Sequence, residues 1–440
     1  MTSRVSARAR NVFVLLGASF LARLLLSLST ELYPDEAYYL AWSRRPALGY
    51  FDHPPGVAWV LWLLPPRVMA LLCGAATCAA VYLLARTANL SRERAAFSAV
   101  LFAWLPLDLL LGTFALPDAP LMLFWTLALA AFLRERWALG ALCIGLSCLS
   151  KYTGILLVPI ALAALAERRA WRALAPAVLI VLVCVAPILV WNAQHDWVSL
   201  RFQLHHGFAG KSGVLGAGRY LLGQVGVTLG LAPWACWTLA RGSWRAPRVL
   251  PLAVAVPLGV FLVSSFRAPV EVNWPALASP ALVVVLAAQE RTGLRRWVWG
   301  AVASGVVIVV ALAVPGPWTQ RMRRPLSRLH GWSALGALNR LGAEAAFTDT
   351  YQLAGEIEAY AHLPATVEET DRPSQYGLWE KPWVRPGADA LWVSEGAPPP
   401  STLAREFEKL EALPVLEPKW GSLVTHRFRV FRLHRRQPTP

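Results

Sequence analysis

Repeated apolar runs of up to about twenty residues constrain the fold of this chain more than any other feature. Several of them reach the ~20 residues that a helix needs to cross the hydrocarbon core of a bilayer. Of the 440 residues, 56% are hydrophobic and only 15% are charged, which excludes an ordinary soluble domain. The pattern predicts a mainly α, polytopic membrane protein with about eleven transmembrane helices, at residues 12–30, 66–86, 95–113, 119–133, 137–150, 153–166, 173–190, 219–240, 249–265, 275–289 and 297–315.

The charge pattern indicates membrane topology and not nucleic-acid binding. The net charge is +16, but the arginines lie singly or in pairs between apolar runs, so no nucleic-acid partner is expected. All six cysteines fall in or beside apolar runs, which predicts buried small side chains and no disulfide framework. The basic N-terminus followed by a long apolar run predicts an uncleaved first helix, because no small-residue cleavage site precedes Glu31.

Positive charge is divided unequally between alternate loops. One side's loops carry only a few basic residues, which are Arg44, Arg45, Lys151, Arg201, Lys211 and Arg267, with Arg67 and Arg219 at span ends. The other side carries most arginines, namely Arg4, Arg8, Arg10, Arg86, Arg92, Arg94, Arg134, Arg136, Arg168, Arg169, Arg172, Arg241, Arg245, Arg248, Arg291, Arg295 and Arg296. Because positive charge marks the cytoplasm, we predict a multi-pass protein of the cell inner (plasma) membrane. Its N-terminus is then cytoplasmic and its C-terminus periplasmic.

Acidic residues fall on the predicted outer side. The first outer loop, residues 31–65, contains two stretches that predict short amphipathic helices on the membrane surface, "DEAYYLAWSRR" and "HPPGVAWVLWLL". The same side carries Asp35, Glu36, Asp52 and His53 in this loop and Asp118, Asp196 and Glu271 in later loops.

The chain changes character after residue 316. Residues 1–316 predict the transmembrane domain, and residues 317–440 predict a small soluble α/β domain on the periplasmic side. Strands are predicted at "EAAFTD", "ATVEET", "DALWVSE" and "LVTHRFRVFRL". Helices are predicted at "DTYQLAGEIEAYAHL", with Asp349 and Gln352 spaced as a capping box, and at "STLAREFEKLEAL" from Ser401.

The acid and histidine cluster of the first outer loop predicts a reactive site. A single acid at the membrane interface is more often merely solvated. Three acids and a histidine together, opposite the basic Lys151, favour acid–base and metal chemistry. A carboxylate such as Asp35 can accept a proton from an attacking hydroxyl. Lys151 and Arg201 can bind a phosphate. A divalent metal cation, whose identity the sequence does not specify, is the predicted cofactor, with Glu36, Asp52 and His53 as its candidate ligands.

These residue types together suit displacement of a sugar from a lipid-linked phosphate. At this point the motifs become familiar. "YPDEAYYLAWSRRPALGYFDHPPGVAWV" strongly resembles the first outer loop of bacterial GT-C class membrane glycosyltransferases, the relatives of protein O-mannosyltransferases and of lipid A aminoarabinose and galacturonic acid transferases. The resemblance continues through "PDAPLMLFW", "SKYTGILLVP", "WNAQHDWVSLRFQ", "EVNWPA", "DTYQLAGEIEAYA" and "RPSQYGLWE".

The resemblance implies roles for particular residues. Asp35 takes the position of the catalytic base, and Asp118 that of a second acid in the next outer loop. It also implies a polyprenyl-phosphate sugar donor, inversion at the sugar, and a lipid, glycan or protein acceptor among membrane lipids and envelope components. Tyr38 and Asn273, which lie within the matching motifs, are substrate-binding candidates beside Lys151 and Arg201.

Other interpretations stay open at this stage. Glu36 can pair with Arg44 or Arg45 instead of binding metal, and His53 can cap a helix or pack. A secondary transporter or lipid flippase could use Asp35 and Asp118 as coupling carboxylates. Transport sites lie near the bilayer midplane, however, whereas these acids cluster at one predicted surface. A non-catalytic scaffold would leave the first-loop cluster unexplained.

Overall fold

The structure is a computed structural model that describes residues 2–240, 248–289, 293–368 and 372–437. Arg241, Arg245 and Arg291, which contributed to the topology prediction, lie outside the described residues. Sixteen α-helices precede residue 314 in the described ranges: α1 (Thr2–Ser29), α2 (Pro34–Ser43), α3 (Gly56–Leu63), α4 (Pro66–Thr87), α5 (Arg92–Trp104), α6 (Pro106–Leu111), α7 (Asp118–Leu133), α8 (Trp137–Ser150), α9 (Leu157–Glu167), α10 (Leu174–Gln194), α11 (Val198–Phe208), α12 (Gly213–Val227), α13 (Leu231–Ala240), α14 (Val249–Ser265), α15 (Ser279–Ala288) and α16 (Leu294–Ala313).

The C-terminal part combines short helices with strands. The α-helices are α17 (Arg323–Ser327), α18 (Tyr351–Tyr360) and α19 (Ser401–Ala404), and the strands are β1 (Ala346–Thr348), β2 (Ala365–Val367), β3 (Ala390–Ser394), β4 (Phe407–Ala412), β5 (Lys419–Trp420), β6 (Leu423–Val424) and β7 (Arg429–Arg436). Five 3₁₀ segments complete the described chain, at Tyr152–Leu156, Trp171–Ala173, Trp274–Ala278, Trp332–Leu341 and Gln375–Gly377.

Each predicted span coincides with helix, but not always with one helix. The predicted span 95–113 is two helices, because Leu105 is extended (φ −56°, ψ 136°) before Pro106, which opens α6. The predicted span 219–240 is also two helices, because Leu229 and Gly230 take left-handed conformations. Four described stretches are long and apolar enough to cross a membrane, Arg10–Ser29, Pro66–Thr87, Trp171–Gln194 and Leu294–Ala313. The number of eleven crossings stays a prediction.

The chain divides into two compact units. Unit 1 comprises Met1–Leu25, Ala47–Val57 and Arg67–Val309, and unit 2 comprises Leu26–Pro46, Ala58–Pro66 and Val310–Pro440. Within unit 2, α2 packs on α18 at Gly355 of the C-terminal part, and the domain boundary at 316 stays a prediction. A Cβ at Gly355 would lie only 2.8 Å from the backbone nitrogen of Tyr38, so the two helices touch through their backbones.

Unit 1 is built around an apolar core of helices. Trp125, Leu157 and Val284 are fully buried in it, and α7, α8 and α10 pack closely together. Most side chains of α10 remain exposed to the surroundings, and an 18-residue window within Trp171–Gln194 has a mean hydropathy of 2.9. Apolar side chains on the outside of a helix bundle are stable in lipid and not in water. Unit 1 therefore has the surface of a membrane-embedded bundle.

Unit 2 contains a five-stranded mixed sheet in the order β2-β1-β3-β7-β4, with β1 parallel to β2 and β3 and with β7 antiparallel to β3 and β4. The predicted strands at 344–349, 365–370, 389–395 and at the C-terminus are confirmed as β1, β2, β3 and β7. The helix predicted from Ser401 to residue 413 is wrong beyond Ala404. Residues 407–412 alternate so that Leu410 pairs with Leu433 of β7, and strand pairing outweighs helix propensity there.

Candidate functional site

Asp118, Lys151 and Asn273 form a polar group inside unit 1, which we call the Asp118 cluster. The Lys151 ammonium lies 3.0 Å from both carboxylate oxygens of Asp118, and the Asn273 amide donates to Oδ2 at 3.3 Å. The side chains of Lys151 and Asp118 are only 8% and 6% exposed. Removing charges from water is costly unless they are paired, so each of these two groups depends on the other.

Local backbone geometry explains how Lys151 reaches Asp118. Asp118 begins α7, where the N-terminal end of a helix favours a carboxylate. Lys151 follows the end of α8 in an extended conformation (φ −156°, ψ 143°), and the chain then turns back on itself. Gly154 permits this reversal, because a Cβ there would lie 2.5 Å from the carbonyl carbon of Ser147. The turn that follows α8 therefore places Lys151 against Asp118 at the start of α7.

The remaining candidates of unit 1 are less well placed. Asp52 is 4% exposed, and its backbone oxygen accepts a hydrogen bond of 2.5 Å from Gln203. His53 is half-buried, and its carbonyl accepts from the backbone of Tyr50. Arg201 lies exposed on α11, where a flexible cation can meet a ligand but is not fixed in position.

Of the three predicted metal ligands, Glu36 lies in unit 2, whereas Asp52 and His53 lie in unit 1. In the part of the chain that the structure describes, no group of three or more histidine, cysteine, aspartate or glutamate side chains is positioned to hold an ion. Glu36 has a different role, because its Oε2 accepts the backbone N–H of Tyr33 at 2.8 Å and closes a capping box at the start of α2. The divalent cation stays a prediction.

Asp35 lies in the first turn of α2 in unit 2, with its side chain half-buried. Tyr351, the first residue of α18, points its hydroxyl at Oδ1 of Asp35 over 3.5 Å. Arg372 donates from Nη1 to that same hydroxyl, and its guanidinium lies 4.4 Å from the centre of the Tyr351 ring. We call Asp35, Tyr351 and Arg372 the Asp35 cluster.

Tyr38 is buried at 1% exposure, and its predicted role in substrate binding stays a prediction. Its hydroxyl accepts the backbone N–H of Gln375 at 2.7 Å, and its ring lies 4.6 Å from the Tyr351 ring and 5.8 Å from the Tyr376 ring. This geometry gives Tyr38 a packing role. Tyr376 is buried in the same packing. Its burial raises the pKa of the Tyr376 phenol, and the charge of Glu358 raises it further.

The other end of α2 is held by Glu358 of α18. Arg45 donates to both Glu358 oxygens, at 2.8 and 3.1 Å, and Arg44 donates to the Glu358 carbonyl at 3.0 Å. The Arg45 guanidinium also lies 4.3 Å from the centre of the Trp379 ring. The Glu358 side chain is only 4% exposed, so this bidentate pair is a strong contact. Helix α2 is thus fixed to α18 at both ends.

Sequence reasoning missed some polar contacts. Asp108 is buried and accepts a hydrogen bond of 2.7 Å from Ser279, and the signal for it was a lone acid within the apolar run "LPLDLLLG". The pairing of Tyr351 with Asp35 had no sequence signal, because 316 residues separate the two side chains. The capping box predicted at Asp349 is absent from the described contacts, since the Thr350 hydroxyl accepts the N–H of Leu353 instead.

Comparisons with known proteins agree with the resemblance that the sequence motifs show. Residues 52–191 match the family model described as dolichyl-phosphate-mannose-protein mannosyltransferase. The lipid A galacturonosyltransferase RgtD of Rhizobium johnstonii is 29% identical over 293 residues, which cover 57% of this chain and 59% of that protein. The resemblance to GT-C membrane glycosyltransferases is confirmed.

Solved structures show the same fold. ArnT from Cupriavidus metallidurans in the apo state superposes with a TM-score of 0.65 at 16% identity, over 96% of this chain and 98% of ArnT. ArnT bound to undecaprenyl phosphate gives 0.67 at 17% identity, over 98% of both chains. At this identity the likeness establishes the GT-C fold of ArnT, mostly helical with a small C-terminal sheet.

Proposed function

We propose that the chain transfers a sugar from a polyprenyl-phosphate donor to a lipid acceptor of the cell envelope, at the periplasmic face of the inner membrane. The observation that carries this proposal is the buried Asp118–Lys151 pair beside Asn273, in a chain with the GT-C fold. Undecaprenyl phosphate bound to ArnT supports the donor class, and the name of RgtD supports a lipid A-type acceptor. Glycan and protein acceptors have no comparable support.

Lys151 suits a phosphate contact because of its unused hydrogen-bonding capacity. An ammonium has three donors, and two of them are directed at the Asp118 oxygens. The third can meet a phosphate oxygen while Asp118 holds the ammonium in place. Asn273 orients the same carboxylate, and exposed Arg201 is proposed as a second, more mobile phosphate contact.

Asp35 is proposed as the general base. The acceptor hydroxyl gives its proton to the Asp35 carboxylate as its oxygen bonds to the anomeric carbon. The bond from that carbon to the phosphate oxygen breaks, and its electron pair leaves with the polyprenyl phosphate. Attack from the side opposite the phosphate inverts the configuration of the sugar.

The test compares Asp35→Asn with wild-type protein for transfer of labelled sugar in membranes. Asparagine keeps the size of the side chain but removes its basicity, and general base catalysis typically contributes ~10²–10⁴-fold, so turnover should fall by about that factor. Asp196→Asn is the matched control, since Asp196 is exposed and its left-handed backbone (φ 51°) is one that asparagine tolerates. Near-normal turnover in Asp35→Asn, at equal expression, would remove Asp35 from the mechanism.

The acceptor is identified independently by mass spectrometry of envelope lipids from cells with and without the gene. A lipid that carries one additional sugar only in the presence of the gene supports the proposal. If the lipids are identical and a glycan or protein differs instead, the lipid-acceptor part of the proposal is wrong while glycosyl transfer stands.

A further inference from the structure

The contact between α2 and α18 places a tyrosine and an arginine of the C-terminal part next to the proposed base. We propose that Tyr351 and Arg372 are positioning residues that orient Asp35 and keep it ionised for proton abstraction. The inference rests on the proposed function, because it assumes that Asp35 is the base. It assigns part of the catalytic apparatus to residues that lie more than 300 positions further along the chain.

The direction of the hydrogen bonds supports this role. Arg372 has only donors, so its contact with the Tyr351 hydroxyl uses the phenolic oxygen as an acceptor. The phenolic proton is then directed at Oδ1 of Asp35, 3.5 Å away. A donor aimed at a carboxylate favours its charged form, and the neighbouring guanidinium polarises the phenol in the same direction. Hydrogen bonds at catalytic groups are often long before substrate binds, so 3.5 Å suits a contact that shortens in the complex.

Tyr351 is itself held firmly. The Thr350 hydroxyl caps α18 by accepting the N–H of Leu353 at 3.3 Å, which fixes the first turn that carries Tyr351. The Tyr351 ring is 9% exposed and packs 4.6 Å from the Tyr38 ring. Gly355, one turn later, lets α18 touch the backbone of α2. A rigid donor on a rigid helix is what a precisely oriented carboxylate requires.

The charged groups around Asp35 agree with this assignment. Glu36 is adjacent in sequence, but its carboxylate is turned to the N–H of Tyr33 at the helix start. Arg328, from α17's C-terminal end, donates to the Tyr33 hydroxyl at 2.5 Å. Tyr351 of α18 therefore contacts Asp35, and the guanidinium of Arg372 contacts Tyr351 in turn.

The experiment measures kcat, donor KM and the pH–rate profile of the full-length protein carrying Tyr351→Phe. Phenylalanine keeps the packing on Tyr38 and removes only the hydroxyl. We expect kcat to fall about tenfold, as for loss of a hydrogen bond to a charged group, with donor KM unchanged. The acid limb of the profile should move to higher pH by about one unit, since the carboxylate loses a donor that favours its ionised form.

Two further variants separate positioning from folding. Tyr360→Phe is the matched control on the same helix, because the Tyr360 hydroxyl accepts the backbone N–H of Leu32 at 2.9 Å. It should leave the acid limb in place. Arg372→Gln should reproduce the shift of Tyr351→Phe, whereas Arg372→Lys, which keeps the charge, should restore part of kcat.

The outcomes are distinguishable. If Asp35→Asn abolishes transfer but Tyr351→Phe keeps the wild-type kcat and acid limb, the positioning role is refuted and the proposed function stands. If Asp35→Asn itself transfers sugar normally, Asp35 is not the base, so its proposed role and the positioning inference both fail while glycosyl transfer stands. A loss of kcat in Tyr351→Phe that comes with a changed donor KM, or that Tyr360→Phe reproduces, assigns the effect to general structure and overturns the inference.

Discussion

Replacing Lys151 by methionine tests the Asp118 cluster most sharply. Methionine has nearly the length and volume of lysine but no charge, so the change removes the ammonium and leaves the packing of the stem. Asp118, whose side chain is 6% exposed, then retains only the Asn273 amide at 3.3 Å among the contacts of this cluster. A buried carboxylate without its counter-charge is strongly unfavourable.

The expected magnitude follows from the distance and the burial. At 3.0 Å and an effective dielectric constant of about 20, the two charges attract by about 5–6 kcal/mol before desolvation is counted. Removal of one partner of a buried pair costs about 3–5 kcal/mol in measured cases. Lys151→Met should therefore lower the free energy of unfolding by several kcal/mol. Replacing Asp118 by leucine in the same chain should restore most of it, because no buried charge is left.

The assay is a double-mutant cycle on the purified protein in detergent micelles, with unfolding followed by denaturant titration. Donor concentration dependence is measured in the same preparations. Loss of a desolvated phosphate contact costs about 2–5 kcal/mol, so Lys151→Met should also weaken donor use at least tenfold. Arg201→Gln is the matched control, since exposed Arg201 should lose donor affinity with almost no change in stability.

Three results would each refute a part of this reasoning. A destabilisation below about 1 kcal/mol in Lys151→Met would show that the pair is solvated like a surface salt bridge. A double variant whose loss equals the sum of the single losses would show that Asp118 and Lys151 do not depend on each other. An unchanged donor dependence, with the stability loss present, would leave Lys151 a structural role alone.

Three further predictions follow from the same structure. A reporter that is active only outside the cytoplasm should be active when fused after residue 330 and inactive after residue 90; the reverse pattern contradicts the predicted topology. Gly355→Ala should destabilise the protein by roughly 1–3 kcal/mol, although alanine normally favours a helix, because its Cβ would meet the Tyr38 backbone at 2.8 Å; a thermal-unfolding gain would disprove this contact. Burial lowers the pKa of His330, whose Nε2 donates to the Leu312 carbonyl at 2.8 Å, while the nearby charge of Glu31 acts in the opposite direction. The unfolded state therefore binds a proton more readily than the folded state. Stability should fall as the pH drops below about 6.5. His330→Gln should flatten that decline in unfolding titrations between about pH 5 and 7, and an unaltered slope would assign it to other groups.

Helix positions were predictable because apolar periodicity and length determine them. Every predicted span falls on helix, and the C-terminal strands β1, β2, β3 and β7 were predicted from alternation. The breaks at Leu105 and at Leu229 were missed, although Pro106 and Gly230 are their signals in the sequence. Residues 405–412 were mistaken for helix, because "REFEKLEA" has high helix propensity and only the partner strand β7 decides its structure.

The candidate site was predictable by residue type but not by contact. The acids and Lys151 were selected because charged groups beside apolar spans are costly. That Lys151 pairs with Asp118 depends on the turn at Gly154, which no spacing rule describes. Glu36 was assigned to metal, whereas the Tyr33-to-Glu36 spacing at a helix start was the signal of a capping box.

The most direct test of the central claim is transfer by the purified protein in vesicles that contain a labelled undecaprenyl-phosphate sugar and a lipid A-type acceptor. The account predicts that label moves into the acceptor lipid while undecaprenyl phosphate is released in equal amount, and that Asp35→Asn stops both. Label that stays on the donor, or that appears as free sugar in water whether or not the acceptor is present, would contradict it.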